Sequence, residues 1–239
     1  MRGTEFEFRN RFWIITAIFW LGFSVYRLDP VNAASAAGAW VAARLGRPEA
    51  HSAQIVLGVG ALITLIAAAI RTWASSFLRS SVVHDRALHS ERLVADGPYR
   101  YVRNPLYVGV ILLGVGMGLL ASRLGFAVIV VGLTLFTLRL IGREEAELTA
   151  SQGESYRRYL SAVPRLVPSL FPRVPKGGGR SHWRQAFAGE VFMWGMAASV
   201  VVFAITLKVE YFWIVLAASL FFRFVHAAIL KRQGAAVGN

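Results

Sequence analysis

Apolar runs alternate with short polar stretches along the whole chain, and several runs approach the roughly 20 residues that cross a hydrocarbon core of about 30 Å. The first is Phe12–Leu28, FWIITAIFWLGFSVYRL, preceded by Arg9 and Arg11. A basic flank before an apolar middle also describes a secretory leader. No small-residue cleavage site precedes Asp29-Pro30, however, and more spans follow, so a retained transmembrane helix is expected. The Ala-rich stretch 31–50 is too short and interrupted to cross, which predicts an interfacial or partly re-entrant helix on the outer side. Ala53–Ile70 is a second span, continuing towards Trp73 and Leu78, and its Gly58, Gly60, Ala61, Ala67 and Ala68 suit close helix packing.

A polar loop over 79–104 follows, then Pro105–Ala121 and Leu124–Ile141 as a transmembrane hairpin turning at Ser122-Arg123. Gly142–Ala162 reads as a surface helix, with Leu148, Tyr156, Tyr159 and Val163 recurring at helical spacing to pack it down. Pro164, Pro168, Pro172, Pro175 and Gly177-Gly178-Gly179 predict an irregular linker. Phe187–Leu207 and Tyr211–Leu230 complete the pattern, with a turn at Val209-Glu210. No repeat of fixed period is present. The expected fold class is all-α, a polytopic membrane helical bundle of about six transmembrane helices. Three units are expected: 1–52, an N-terminal helix with its interfacial segment; 53–175, the core; and 176–239, a C-terminal helix pair.

Composition supports a membrane protein, since only 16% of residues are charged against about a quarter in soluble domains. Cysteine is absent, which excludes disulfides, thiolate metal sites and cysteine nucleophiles; no metal site is expected. A net charge of +13 raises the question of nucleic acid. Of the 26 Lys and Arg residues, however, only Arg27, Arg44, Arg47, Arg123 and Lys208 fall on the opposite face from the rest. That asymmetry is the positive-inside pattern, placing both termini on the cytoplasmic side with attraction to anionic membrane lipids. No basic stripe with interleaved aromatics stands apart from the membrane flanks, so no nucleic-acid partner is expected.

The chemistry concentrates in Leu93–Gly109, LVADGPYRYVRNPLYVG, and in the acidic run Arg143-Glu144-Glu145. Polar residues this dense beside apolar spans are costly near lipid unless they bind something. The blocks GPYRYVRNPLYVG, REEAEL, GESYRRY and VPRLVP stand in that order within about residues 53–168. Together they resemble the membrane methyltransferases of the isoprenylcysteine carboxyl methyltransferase family, relatives of the phospholipid N-methyltransferases. The resemblance implies an S-adenosylmethionine pocket near the cytosolic face, built from the loop, the hairpin and the carboxylates after it. It implies that His84 stands where the family has a cofactor-contacting Gln, that Leu93 and Val94 contact the cofactor, and that Tyr99 lies against it. Asn104, Pro105, Leu106 and Tyr107 match the family's Arg-His-Pro-x-Tyr element, and Glu144 and Glu145 match its paired acids. Asn104 replaces the usual His, which removes a titratable group. The family's substrate-side Arg has no clean match; Arg139 is nearest, one position off, and with Glu144 it is the candidate catalytic pair.

Elementary chemistry supports these assignments. Glu144 or Glu145 can pair with the cofactor's α-ammonium in a partly desolvated site. Adjacent helical residues point about 100° apart, so one of the two faces the pocket. Tyr99, Tyr101 and Tyr107 offer ring faces to a sulfonium, worth about 0.5–2 kcal/mol each; Arg100 and Arg103 can take the carboxylate, and Asn104 an adenine or ribose edge. Gly97-Pro98 turns the chain, and Pro105 starts a helix where its missing N–H does no harm. The expected acceptor is a lipophilic or lipidated molecule arriving from the bilayer. Carboxyl O-methylation of a prenylcysteine is closest by resemblance; N-methylation of an aminophospholipid, an NADPH-dependent isoprenoid or sterol reductase, and a non-catalytic scaffold are the alternatives. A carboxylate nucleophile is ionised at pH 7 and needs no base, whereas an amine does, with His84 and His89 as the loop candidates.

Overall fold

The computed structural model describes residues 2–46, 48–78 and 95–237, with backbone alone at Arg223 and over 225–237. Among the described residues every regular element is helical; a single antiparallel bridge joins Asn32 to Ser122. Helix α1 (Glu5–Arg9) is short but firmly started. Thr4 Oγ1 accepts from the Glu7 N–H at 3.2 Å while the Glu7 carboxylate accepts from the Thr4 N–H, a reciprocal cap that satisfies two otherwise unpaired donors. Helix α2 (Arg11–Ser24) follows and closes in a 3-10 turn, Val25–Arg27. Helix α3 (Ala33–Leu45) is capped by the Asn32 side chain and ends at Gly46, in the left-handed region at φ +62°.

Helix α4 (Glu49–Ser76) is the central element. Around it pack α3, α5 (Pro105–Gly118), α8 (Trp183–Gly189) and α9 (Val191–Thr206). Helix α6 (Arg123–Gln152), started by Ser122 Oγ accepting from the Gly125 N–H at 3.0 Å, lies against α2 and α5. Helix α7 (Glu154–Ala162) caps the end of α6, and α10 (Val209–Val237) pairs with α9. The largest core cluster joins Leu57, Ala61, Ala67 and Ala68 of α4 to Leu113 and Met117 of α5 and to Met193, Ala197 and Val200 of α9. Small side chains at these crossings let backbones approach, which is where helices in lipid gain their contact energy.

Two helices, α4 and α6, are long and apolar enough to cross a membrane, and α8 with α9 make a third if taken as one bent span. Two other predicted spans are shorter than expected. Helices α2 and α5 hold 14 residues each, about 21 Å at 1.5 Å per residue. The first gives way to its 3-10 turn; the second stops where the chain must reverse within Leu119–Ser122. The predicted surface helix from Gly142 is corrected: α6 runs unbroken through Gly142 to Gln152. The break comes at Gly153, whose φ +57°, ψ −128° is a conformation only glycine holds without strain. One interior glycine costs a helix only about 1 kcal/mol, so Gly142 does not interrupt it. The turn placed at Val209-Glu210 lies two residues earlier, at Leu207-Lys208, with Leu207 in the left-handed region. The predicted fifth span is bent by 63° between α8 and α9, at Glu190.

Gly116 of α5 sits so close to α4 that an added Cβ would lie 2.6 Å from the Gly60 carbonyl oxygen. Gly116→Ala is expected to destabilise the fold by about 1–3 kcal/mol through overpacking. Gly58→Ala, where an added methyl meets nothing within 4 Å, serves as the neutral control. Melting temperatures of the two variants in detergent check this; equal values would contradict the close α4–α5 crossing.

Candidate functional site

The site grows from the segment between α4 and α5. Gly97, at φ +57°, lies against the Phe77 ring, where a side chain would collide. It starts a 3-10 turn over Gly97–Arg100 that carries Tyr99 inward. Tyr99 is buried and its carbonyl accepts from the Tyr159 hydroxyl at 2.8 Å. Tyr101 turns the other way, its ring 6.0 Å from that of Trp73. Pro105 occupies the first turn of α5 and is fully buried, with Asn104 immediately before it. Leu106 lends its carbonyl to Arg71. One residue further on, the Tyr107 hydroxyl donates to Glu144 Oε1 at 2.5 Å.

The two acids part company, as their 100° separation on a helix requires. Glu145 is buried and accepts from Arg165 through Nε at 3.0 Å and through Nη2. Arg103 Nε stands 3.3 Å from its other oxygen, where Asn104 Nδ2 also donates at 3.5 Å. Arg103 is further fixed by Nη1 donating to the Leu160 carbonyl at 2.6 Å and by its N–H donating to the Pro164 carbonyl at 2.9 Å. Glu145 therefore ties α6, the 96–104 segment and the start of the Pro-rich stretch into one joint. Glu144 differs. Among the described residues its partner is a phenol hydroxyl and no guanidinium stands on it. The other carboxylates that are not exposed have guanidiniums (Glu7, Asp29, Glu145, Glu147 and Glu190) or backbone N–H groups (Asp96) on them.

The stretch predicted as a linker is a strap laid along the loop. Ser169 N–H donates to the Tyr101 carbonyl at 3.0 Å and Arg173 N–H to the Arg100 carbonyl at 2.8 Å. Arg100 Nε returns a bond to the Val174 carbonyl at 2.9 Å. Gly177 and Gly179 N–H groups donate to the two oxygens of Asp96 at 2.8 and 2.7 Å. Arg100 and Arg103, expected to take a cofactor carboxylate, are thus both engaged in holding the strap. Arg139 is placed away from the acid pair's joint. Its guanidinium meets the Glu7 carboxylate of α1 at 2.8 and 3.0 Å, and its carbonyl accepts from the Gly3 N–H. His84, His89, Leu93 and Val94 lie outside the described residues.

A second polar cluster escaped the sequence reading. Arg71 meets the buried Glu190 at 2.8 and 3.0 Å, Ser75 Oγ donates to the same carboxylate at 2.7 Å, and Arg71 Nη1 donates to the Leu106 carbonyl at 3.3 Å. It fastens the bend between α8 and α9 to the C-terminal end of α4 and the start of α5. The available signal was a lone acid in the apolar run Phe187–Leu207, which lipid penalises unless it is paired.

Burial sets the electrostatics of the surface-side tyrosines. Tyr99, with the neighbouring charges of Tyr159 and Glu144 adding to the effect of burial, is pushed well above the ordinary phenol value. Tyr156 and Tyr159 are pushed up for the same first reason. On α1, hydrogen bonds from Arg139 and from the Thr4 backbone hold the Glu7 carboxyl down at about 2.

Residues 53–153 match the model of the phospholipid methyltransferase family. The chain is 36% identical over 95 residues to a protein-S-isoprenylcysteine O-methyltransferase of Schizosaccharomyces pombe, covering 38% of this chain and 39% of that relative. It is 39% identical over 73 residues to a methanethiol S-methyltransferase of Crocosphaera subtropica, covering 30% of this chain and 28% of that relative. The chain thus spans well under half the length of either curated relative. No solved structure matches it.

Two outcomes follow from this geometry. Removing Glu190 leaves Arg71 charged in an apolar setting, so Glu190→Ala is expected to cost about 3–5 kcal/mol, and Arg71→Met in the same chain to restore much of it. Thermal melting in detergent reads both; an unaltered single variant would contradict the buried pair. Raised phenol values stabilise the fold below the unfolded value of about 10 and lose that contribution as pH rises further, because the unfolded chain releases its protons first. An absorbance titration is expected to show Tyr99, Tyr156 and Tyr159 ionising only as the protein unfolds. Ionisation of all seven tyrosines near pH 10 in the folded protein would contradict it.

Proposed function

From the match of residues 53–153 to the phospholipid methyltransferase family model, we propose that this chain is an integral membrane methyltransferase. Its methyl donor is S-adenosylmethionine and its acceptor a lipophilic molecule reached from the bilayer. The observation that carries the reading is the half-buried Glu144, held by the Tyr107 hydroxyl at 2.5 Å with no cationic side chain on it among the described residues. Arg11 stands near enough to act on Glu144, but a carboxylate in that state lacks the contact ion pair that partly desolvated anions favour. The donor's α-ammonium supplies it through a charge-assisted hydrogen bond. The residues present fit the donor in that respect, and the aromatic rings of Tyr99 and Tyr107 beside the same carboxylate suit a sulfonium.

S-adenosylmethionine, when bound, supplies an electrophilic methyl group carried on a positive sulfur. The chain's own residues then have three tasks. Glu144 and Tyr107 fix the cationic end. Glu145, with Arg103, Asn104 and Arg165 on it, keeps the 96–104 segment pressed against α6 so that Tyr99 and Tyr107 hold their positions. Rigid placement alone contributes several kcal/mol to a displacement of this kind. Arg139 reaches the acceptor side only if Glu7 releases it, so in this reading it is a positioning residue that orders α1 beside the site. The contacts of His84, Leu93 and Val94 with the donor, which the family resemblance implies, are part of the same proposal.

The favoured acceptor is the carboxylate of a prenylcysteine-like molecule, in line with the isoprenylcysteine relative; it is ionised at neutral pH and asks no base of the site. Six crossings complete the proposed topology, formed by α2, α4, α5, α6, the α8–α9 pair and α10, with the pocket and both termini on the basic, cytoplasmic side. The 53–175 core carries the chemistry, and the units 1–52 and 176–239 flank it.

Transfer of labelled methyl groups by the detergent-solubilised chain tests this. Farnesylcysteine analogues are expected to accept label, and Tyr107→Phe to lower the rate by about tenfold or more for loss of a hydrogen bond to a charged group, worth about 1.5–3 kcal/mol. Ethanolamine lipids or a small thiol accepting in place of the carboxylate would reassign the acceptor. Transfer to none of them, with NADPH bound instead, would overturn the methyltransferase reading.

A further inference from the structure

The strap carries a surface that the helices do not use. Val167, Leu170 and Phe171 are 79%, 90% and 76% exposed, three large apolar side chains within five residues. Arg173 and Lys176 follow, both exposed and neither in an ion pair among the described residues.

Its depth is fixed at two points. Arg165 holds Glu145, about one turn beyond Ile141 at the apolar end of α6. Ser169 is bonded to Tyr101, whose ring lies beside that of Trp73, about one turn beyond Ile70 at the apolar end of α4. At 1.5 Å per residue both ties place the strap roughly 5 Å past the hydrocarbon ends of the two long helices. That is the headgroup level, where Trp and Tyr rings collect and where amphipathic segments bury their apolar side by about 5–10 Å. Four prolines in 164–175 remove backbone donors, which suits a chain lying in the interface without a regular hydrogen-bond pattern of its own.

We propose that residues 165–176 are an interfacial membrane anchor: Val167, Leu170 and Phe171 lie in the boundary between headgroups and acyl chains, and Arg173 and Lys176 sit on anionic headgroups of the same leaflet. Because Ser169, Arg173 and Val174 are bonded to Tyr101 and Arg100, the anchor holds the 96–104 segment at a set depth. The proposal goes beyond the methyltransferase reading and stands independently of it.

The sequence contains no cysteine, so one introduced thiol is the only labelling site. Leu170→Cys, Phe171→Cys and, as an aqueous control, the exposed Ser151→Cys are labelled with an environment-sensitive fluorophore. Each full chain is then placed in nanodiscs of phosphatidylcholine with or without phosphatidylglycerol and a lipid bearing a shallow nitroxide quencher. Quenching at 170 and 171 is expected to exceed that at 151 by at least about twofold, as an interfacial segment requires. It is expected to rise further with phosphatidylglycerol, and Arg173→Gln with Lys176→Gln to abolish that rise. Quenching no greater than at Ser151, or no response to phosphatidylglycerol, would overturn the proposal.

Discussion

A buried carboxylate cannot stay charged near lipid without partners, and Glu145 has gathered its partners from two other stretches of chain. Arg103 and Asn104 come from the loop before α5, Arg165 from the strap after α7, and Glu145 itself from the last turns of α6. The joint makes the rest of the site possible. With Arg103 and Arg165 committed to Glu145, neighbouring Glu144 is left to the Tyr107 hydroxyl. Two adjacent acids thereby stand differently, Glu145 held by guanidiniums from two other stretches and Glu144 held by a phenol hydroxyl with no described guanidinium in ion-pair contact. The 100° step between helical neighbours is what separates them.

The same economy of charge appears at the other side of α5. Arg71 and Glu190 join the C-terminal helices to the middle of the chain, with Ser75 and the Leu106 carbonyl sharing the load. Leu106 is flanked by the residues that build the acid joint and by Tyr107, so α5 is gripped from both faces at its first turn. The C-terminal pair, which lies beyond the matched family segment, is therefore coupled to the candidate site through one ion pair and not merely through apolar contact. Arg139 with Glu7 does the equivalent for the N-terminal helix.

Much of the helical pattern was legible in the sequence, because apolar runs bounded by Pro, Gly and charge have few other solutions. Ala53–Ile70 and Leu124–Ile141 fall inside α4 and α6, and Tyr156, Tyr159 and Val163 form a buried cluster with Leu148 packed against it, although the four are shared between two helices and the residue after them and not set along one. Pairing of Tyr107 with an acid was also accessible, since both stood at the basic ends of neighbouring apolar runs. The strap was not. Pro-rich and Gly-rich sequence signals irregular backbone but says nothing of where its N–H and C=O groups find partners, and here they find them on Asp96, Arg100 and Tyr101. Nor was the continuity of α6 past Gly142 apparent, because periodicity changes character where a helix leaves lipid even when the backbone does not. Pairings over more than a hundred residues, such as Arg71 with Glu190, leave only the trace of an unexplained charge in an apolar run.

In the proposed reading Glu144, which has no described cation in ion-pair contact, receives one from a ligand, while Glu145 is structural. Titration calorimetry of S-adenosylmethionine into the purified chain and into Glu144→Gln tests it most directly, with melting temperatures recorded on both. The expected result is binding by the native chain and an affinity lowered about tenfold or more in the variant, equivalent to at least about 1.4 kcal/mol, at an unchanged melting temperature. Equal affinity in the two proteins would contradict it.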